Sequence, residues 1–254
     1  MIVVDNVEKR FGDQRVLKGI STVFEAGKCN MIIGKSGAGK TVFMNCLVGL
    51  VTPEKGIIQL DNRNIVPMNQ KEKSVLRKEM GMLFQKNALF DSMTIEENVK
   101  FPLDMFTNMT YAEKKARVDF CLDRVNLVNA NKKYPSEISG GMMKRVALAR
   151  AIVLNPKYLF CDEPNSGLDP KTAIVIDELI QEITREFNIT TVINTHDMNS
   201  VIGIGDKIVY FFEGEKNWEG SNKEVLNTEN ENLNDFIFAS TFLKEIRKMN
   251  AKKQ

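Results

Sequence analysis

The chain alternates short apolar runs with longer segments of helical periodicity. Runs rich in apolar and β-branched residues lie at 29–33, within 157–163 and at 189–193, each bounded by polar residues or glycine. Runs of this length indicate buried strands. Because helical segments separate these runs along the chain, the pattern predicts an α/β core.

The predicted helices each carry one apolar face. Apolar residues recur at i, i+3, i+4 and i+7 between Val118 and Val125, and Thr110 with Glu113 forms a capping box ahead of them. Residues 86–135 are therefore expected to form a helical insertion between strands of the core. A later helix is expected to place five apolar side chains on one face: Ile176, Leu179, Ile180, Ile183 and Phe187.

Shorter elements complete the pattern. Strands are predicted at 1–4, 21–24, 56–61 and 81–84, a turn at 11–14, a charged helix at 68–79, a helix at 143–152 and a hairpin at 207–220 that turns at Gly214.

Composition excludes several classes of protein. The 254 residues are 43% hydrophobic, and 35 Lys plus Arg against 33 Asp plus Glu leave a net charge of +2, which gives no general reason to bind nucleic acid. One His and four Cys without a C-x-x-C pair argue against zinc and favour buried free thiols. No apolar stretch reaches transmembrane length and no signal peptide is recognisable, so a soluble, cytosolic protein is expected.

The strongest chemical motif is a glycine loop, residues 34–41, which reads G-x-x-x-x-G-K-T and lies between a predicted strand and a predicted helix. In that context the backbone N–H groups point at a polyphosphate. Lys40 adds a positive charge at the β- and γ-phosphates, and the Thr41 hydroxyl can bind Mg²⁺. The alternative, an ordinary Gly-rich turn, does not explain the Lys-Thr pair.

Polar residues end three of the predicted strands, where α/β sheets place ligands. Gln85 follows the strand at 81–84, Asp162 and Glu163 end the next strand, and His196 follows the strand at 189–193. Beside a phosphate loop, Asp162 can hold Mg²⁺ and Glu163 can orient or deprotonate a water molecule. His196 can donate to a phosphate oxygen, although a single histidine is more often structural.

A second anion site is predicted at the start of the helix that follows Ile138. Ser139, Gly140 and Gly141 precede a strongly helical run and are expected to leave its first N–H groups uncapped and accessible. The alternative is a flexible loop before a helix.

The order of these motifs along residues 1–220 resembles the ATP-binding cassette of ABC transporters, and the Ser-Gly-Gly signature is specific to that family. The resemblance implies an α/β fold with a P-loop NTPase (RecA-like) core, an antiparallel β subdomain and a helical subdomain at about 86–155. It also implies an Mg²⁺-dependent ATPase that works as a homodimer with two ATP molecules between the subunits.

The resemblance further assigns roles to individual residues. Glu163, His196 and Gln85 would be catalytic, and Thr41, Gln85 and Asp162 would bind Mg²⁺. Phe11, which the sequence alone favours as a core residue, would stack on the adenine base, and Asp169 would communicate between the two sites. ATP would contact Gly34, Lys35, Ser36, Gly37, Ala38, Gly39, Lys40 and Thr41 of one subunit and Ser139, Gly140 and Gly141 of the other.

Met142 stands where the family most often has Gln. Ser-Gly-Gly-Met, together with residues 83–94, resembles the ATPases of Mla and Mce-linked phospholipid transport systems. That subfamily implies permease subunits, an Mce-domain lipid-binding protein, a small regulatory subunit and a peripheral location on the cytoplasmic face of the inner membrane. Residues 86–135, with Gln85, would dock the permease.

Other readings stay open. The chain can belong to an ABC transporter for another solute, because the cassette does not touch the cargo, or to an ABC ATPase acting on nucleic acid or ribosomes. A P-loop kinase or GTPase fits less well, since Ser-Gly-Gly and Asp-Glu are present and no guanine-reading motif is found. Residues 221–254 are expected to form a C-terminal extension with an amphipathic helix that reaches the other ATPase subunit, its apolar face being Phe236, Ala239, Phe242, Leu243, Ile246 and Met249.

Overall fold

The computed structural model describes residues 1–238 and consists of ten strands and eight α-helices over that range. The strands are β1 (Ile2–Phe11), β2 (Gln14–Phe24), β3 (Cys29–Ile33), β4 (Lys55–Leu60), β5 (Arg63–Asn64), β6 (Met80–Leu83), β7 (Tyr158–Asp162), β8 (Thr190–Asn194), β9 (Lys207–Phe212) and β10 (Glu215–Gly220). The helices are α1 (Lys40–Leu47), α2 (Gln70–Arg77), α3 (Ile95–Phe106), α4 (Tyr111–Arg124), α5 (Gly140–Ile152), α6 (Pro170–Glu186), α7 (Met198–Ile204) and α8 (Glu231–Ile237).

Two sheets form the core. The first is antiparallel, with the order β2-β1-β4-β5, and the second has the order β10-β9-β3-β8-β7-β6. In the second sheet only the edge strand β10 runs antiparallel to its neighbour. Parallel strands bury both faces, which explains why β3 and β8 are buried at every position.

The strand β3 separates two hydrophobic layers because successive side chains point to opposite faces. Ile32 packs in the layer between the sheets, where Phe43 of α1 contacts Phe24 and Phe211 with ring centroids 6.3 and 5.1 Å apart. Met31 and Ile33 pack in the opposite layer, against the helices. The α1 helix is therefore held between the two sheets.

The helical insertion lies between β6 and β7. The side chains of Thr94 and Thr110 cap α3 and α4, each in a capping box with the Glu three residues later, so the predicted Thr110 box is confirmed and a second one is found. All four predicted apolar positions between Val118 and Val125 are buried. The α5 helix joins this insertion to the core because it packs on α3, α4 and β6.

The expectations for two residues need correction. Phe11 ends the strand β1 and does not belong to the turn, and it is exposed and not a core residue. Phe187 follows α6, is 37% exposed and contacts Phe120, so it leaves the buried face of the helix that precedes it. Within residues 1–238, no helix is long and apolar enough to cross a membrane, and the four cysteines are buried free thiols, as predicted.

The C-terminal extension is described as far as Phe238. The short helix α8 buries Leu233 and Ile237 against the core, and the Tyr210 hydroxyl donates to the carbonyl of Asn232 over 3.0 Å. Of the predicted apolar face, only Phe236 is described, and its ring lies 5.5 Å from that of Tyr210. The positions from Ala239 to Met249 lie outside the described residues.

Candidate functional site

The parallel sheet brings its polar strand ends to one edge. Gly34 follows β3, and Gln85, Glu163 and His196 follow β6, β7 and β8. These four strands are neighbours in the order β3-β8-β7-β6, and their carboxyl ends meet at the same edge. Sequence positions up to 162 residues apart therefore face one cleft.

The glycine loop depends on backbone conformations that side chains rarely adopt. Gly34 has a φ of 149°, and a Cβ there would lie 2.3 Å from the carbonyl oxygen of Phe211. Gly39, with a φ of 97°, is the N-cap of α1. The loop thus approaches β9 so closely that only glycine fits at its first position.

Lys40 begins α1 and is only 8% exposed. Its Nζ donates to the carbonyl oxygens of Gly34 and Lys35 over 2.8 and 3.2 Å. Burial lowers the pKa of this amine, whereas the nearby charges of Glu163 and Asp162 raise it. The Lys40 charge therefore lies at the opening of the glycine loop, near the carboxylates of Asp162 and Glu163.

Three oxygen-bearing side chains lie together beside Lys40. The Asn194 amide donates to Asp162 Oδ1 through a short hydrogen bond and lies 3.5 Å from the Thr41 hydroxyl. The buried Asn194 Oδ1 has no hydrogen-bond partner among residues 1–238. Hydroxyl, carboxylate and amide oxygens are the ligands that Mg²⁺ prefers, and it is usually held by one or two carboxylates plus phosphates. The residues present therefore fit an Mg²⁺ ion.

Glu163 and His196 form a pair at the rim of the cleft. The two Glu163 carboxylate oxygens lie 2.9 and 2.8 Å from His196 Nδ1. Glu163 has a φ of +48°, which is strained for a residue with a side chain, and its N–H donates to the Asn194 carbonyl over 2.8 Å. This backbone turn directs the carboxylate away from the strand and toward His196.

The cleft has a volume of about 790 Å³. Gln85 lies at its wall, where its side-chain amide donates to Ser166 Oγ over 3.2 Å. Its lining comprises most of the predicted loop and strand-end residues, namely Gly34, Lys35, Ser36, Gly37, Gly39, Lys40, Thr41, Gln85, Asp162, Glu163 and His196, together with Val16, Val42, Asn194 and Phe236.

Sequence reasoning missed four of these lining residues, of which Val42 lies on α1 directly after the glycine loop. Asn194 is the last residue of β8, so its position at a strand end was a usable signal. Val16 is an ordinary apolar residue of β2, and nothing in its pattern marks it. Phe236 belongs to the predicted amphipathic face, but only the fold brings α8 to the cleft.

Five predicted nucleotide contacts do not line this cleft. Ala38 is buried within the glycine loop, and the other four lie outside that loop. Phe11 is 51% exposed at the tip of the β1–β2 hairpin, with Lys9 Nζ 5.1 Å from its ring centroid. Ser139 and Gly140 are exposed at the start of α5, and Gly141 is buried beside Thr172. The prediction of an uncapped helix start was wrong in one respect, since Ser139 Oγ accepts from the N–H of Met142 over 3.2 Å.

Comparison with known proteins places this geometry in a family. The family model described as "ABC transporter" matches residues 17–166, a range that includes the glycine loop, Gln85, Ser139 and Glu163. The chain belongs to the ABC transporter family. Its predicted P-loop NTPase fold is that of the family's solved cassettes and is confirmed. Its predicted class, an Mg²⁺-dependent ATPase with ATP and Mg²⁺ as cofactors, is the class expected of an ABC cassette.

Curated relatives carry names from two transport systems. The chain is 39% identical over 211 residues to the probable ribonucleotide transport ATP-binding protein mkl of Mycobacterium tuberculosis, covering 83% of this ABC cassette and 59% of the relative. It is 36% identical over 261 residues to the methionine import ATP-binding protein MetN of Campylobacter jejuni, covering 96% and 78%. The chain thus spans about three fifths of the length of the mkl relatives. Neither name mentions phospholipid.

Solved structures share the fold. The dimeric cassette MJ0796 in a post-hydrolysis state with ADP and Pi is 31% identical, with a TM-score of 0.79, and the match covers 87% of this ABC cassette and 99% of that chain. The cbiO1 protein of Clostridium perfringens, part of the ABC transporter complex cbiONQ, is 28% identical, with a TM-score of 0.85 and 98% coverage of both chains.

Proposed function

We propose that this chain is the ATPase subunit of an ABC transporter, in which hydrolysis of ATP drives transport through a membrane permease. The observation that supports this function best is the Glu163–His196 pair beside the buried Lys40 and the oxygens of Thr41 and Asp162. A base, a phosphate-binding cation and Mg²⁺ ligands thus share one cleft.

The residues of the cleft have different roles in ATP hydrolysis. The glycine-loop N–H groups and Lys40 would bind the phosphates, and Thr41, Asp162 and Gln85 would hold an Mg²⁺ ion, whose charge would offset that of the phosphates. Glu163 accepts a proton from the attacking water as general base. The contact with His196 fixes the direction of the Glu163 carboxylate, and the exposed imidazole is placed to donate to the γ-phosphate.

A second subunit completes the site in this proposal. The exposed Ser139 and Gly140 at the start of α5 have the free surface and the oriented N–H groups needed to bind the phosphates held by a partner. Phe11, exposed at its hairpin tip, is available to stack on the adenine base. The dimeric structure of the similar cassette MJ0796 supports this arrangement.

The permease would dock on the helical insertion at the inner face of the membrane. Exposed apolar side chains occur before α3 and at its end, namely Phe84, Phe90, Met105 and Phe106. Exposed apolar surface of this kind marks a protein contact. Motion of the Gln85 segment would then connect the nucleotide cleft to the permease.

The cargo is the finer part of the proposal. We favour phospholipid, with an Mce-domain protein and a small regulatory subunit as further partners, because residues 83–94 and the Ser-Gly-Gly-Met motif resemble Mla-type ATPases. The names of the relatives support a second candidate, import of a polar solute such as methionine or a ribonucleotide.

Purification of the intact membrane complex through this subunit tests both candidates, with bound proteins and lipids identified by mass spectrometry. A permease with an Mce-domain protein and bound phospholipid would support lipid transport. A permease with a soluble solute-binding protein and no lipid would support the second candidate. Absence of any permease, with ATPase activity retained, would contradict a role in transport and leave the ATPase assignment intact.

A further inference from the structure

One side of α5 presents two cationic side chains to the main chain that follows β6. Lys144 Nζ donates to the carbonyl oxygen of Gln85 over 2.6 Å and, more weakly, to that of Phe84 over 3.4 Å. The Arg150 guanidinium donates to the carbonyl oxygens of Asn87 and Ala88 over 2.8 and 2.7 Å. Four of the five carbonyls in the segment 84–88, called here the Gln85 loop, thus accept hydrogen bonds from one helix.

The Gln85 loop has a backbone shape that needs such support. Asn87 and Ala88 adopt left-handed φ values of 60° and 50°, and for alanine this conformation is strained. The turn directs the carbonyls of both residues toward Arg150. The guanidinium therefore stabilises a conformation that the sequence of the loop does not favour by itself.

Lys144 is an unusual residue for its position. It is 2% exposed, and among residues 1–238 its Nζ forms hydrogen bonds with main-chain carbonyls only. Burial lowers the pKa of the amine, and the charges of Asp162 and Glu163 oppose that effect. A buried ammonium without a bonded carboxylate is costly, so an apolar side chain would serve the packing of α5 better. The position of the charge therefore calls for a reason other than stability.

We propose that Lys144 and Arg150 are positioning residues that fix the Gln85 loop to α5. The proposal rests on the function proposed above and deepens it. Gln85 lies in the nucleotide cleft of its own subunit, while α5 begins with Ser139 and Gly140. Both cations hold the Gln85 loop to the body of that helix. The Gln85 side chain, which reaches one ATP, therefore keeps a fixed distance from the start of α5, which reaches the partner's ATP.

The test compares Lys144→Met, which removes the charge and keeps the length, with the parent protein and with Lys144→Arg. We expect Lys144→Met to bind ATP without Mg²⁺ within about twofold of the parent. The Mg²⁺ concentration for half-maximal hydrolysis should rise on the order of tenfold, because supports of metal ligands typically affect metal affinity by 10- to 100-fold. Lys144→Arg should recover most of the change.

A matched control uses Arg145, the next residue along α5, whose guanidinium donates to the Asn126 carbonyl over 2.9 Å in the helical insertion. Arg145→Met removes a cation from the same helix without touching the Gln85 loop, and it should leave the Mg²⁺ requirement at the parent value. An equal rise in Arg145→Met and Lys144→Met would overturn the proposal.

A second measurement does not depend on hydrolysis. Lys86 is exposed in the middle of the Gln85 loop, so trypsin can report how firmly the loop is held. Cleavage after Lys86 should accelerate on the order of tenfold in Lys144→Met and stay at the parent rate in Arg145→Met. If the parent protein proves inactive as an ATPase, the proposed function fails, but this cleavage result still supports or overturns the positioning role.

Two results would overturn the proposal. One is a folded Lys144→Met protein with the parent Mg²⁺ requirement and the parent cleavage rate. The other is a loss of ATP binding without Mg²⁺, which would indicate general damage to the site. If Lys144→Met does not fold, Arg150→Lys replaces it: the charge stays but the paired hydrogen bonds are lost, and faster cleavage after Lys86 is again the supporting result.

Discussion

Two helices of this cassette begin with glycine-rich segments suited to anions, and they differ in how much of the site the chain itself supplies. At the start of α1, the glycine loop is packed against β9, and Lys40, Asp162 and Glu163 face it within the same cleft. At the start of α5, Ser139 and Gly140 are exposed, and neither lines that cleft. One helix start is built into a site, and the other is presented to solvent.

The two helix starts differ in whether their residues are needed for folding or only for function. Around α1, close packing fixes the loop whether or not ATP is bound, so a substitution there affects both stability and binding. Around α5, no packing within residues 1–238 requires a glycine at position 140, and Ser139 contributes one N-cap hydrogen bond, accepted from the N–H of Met142. A substitution at position 140 should therefore affect only a reaction that needs a second subunit, whereas one at position 139 also costs about 1 kcal/mol of helix stability.

The largest effect is expected at the complete site, from Glu163→Gln. The amide keeps the shape of the side chain but cannot accept the proton of the attacking water. We expect kcat to fall by about 10²- to 10⁴-fold, while nucleotide binding stays within about threefold and an ATP-bound dimer accumulates. Single-turnover hydrolysis and size-exclusion chromatography with ATP measure these quantities. Hydrolysis at the parent rate would show that Glu163 is not the base.

The next largest effect is expected at the exposed helix start, from Ser139→Glu. A carboxylate there would repel the phosphates of a partner's ATP, so turnover should fall more than about tenfold. ATP binding to the dilute monomer should not change, because Ser139 does not line the cleft of its own subunit. Ser136→Glu, three residues earlier and also exposed, is the matched control. Weaker ATP binding by the Ser139→Glu monomer would contradict the proposed difference between the two helix starts.

Two glycine substitutions test whether the starts of α1 and α5 differ in packing. In Gly34→Ala the added Cβ meets the Phe211 carbonyl, and the free energy of unfolding should fall by about 2 kcal/mol or more. In Gly140→Ala the Cβ meets nothing within 4 Å, so stability should stay the same or rise by about 0.5–1 kcal/mol. Urea unfolding at pH 7 distinguishes the two. Equal destabilisation would mean that α5 also begins in a packed environment.

The smallest effect on ATP hydrolysis is expected at Asp177 of α6, which holds Asn165 in the segment after β7. Asp177 is buried, accepts a hydrogen bond from Asn165 over 2.8 Å, and has its pKa raised by burial to about 6. The folded protein thus binds a proton more tightly than the unfolded chain, so stability falls as the pH rises from about 4 to about 6.

Asp177→Asn removes that titration and should leave ATP hydrolysis unchanged. The variant should match the parent near pH 4 and exceed its free energy of unfolding by up to about 3 kcal/mol above pH 6. Unfolding curves across this range measure the difference. A variant that is less stable than the parent at pH 7 would contradict the interpretation.

Much of the fold was predictable because its signals are local. The run at 29–33, the capping box at Thr110 and the hairpin at Gly214 each depend on neighbouring residues, and all three are found. The gathering of Lys40, Asp162 and His196 was predictable because parallel strands align their ends. This general rule of α/β sheets predicts which side chains lie together even though the sequence does not show their individual contacts.

The rest of the site was not predictable because it depends on contacts that no local pattern encodes. Phe236 reaches the cleft only through the stacking of α8 on Tyr210. Lys144 resembles a surface lysine in the sequence, and its burial follows from the path of the Gln85 loop over α5. The cap on α5 was missed because Ser139 was interpreted as a ligand contact and not as an ordinary N-cap residue.

The central position of β3 affects the order in which the protein can fold while the ribosome synthesises it. Its partners are β8 and β9, so Cys29 pairs with Thr191 and Asn30 with Lys207. At about 5–20 residues per second, these partners are synthesised about 8–35 s after β3. During that interval an apolar strand with unpaired edges has emerged without its sheet. The glycine loop after β3 is thus translated early but is among the last motifs to become part of a binding site. We expect β3 to be the segment that a nascent-chain chaperone covers.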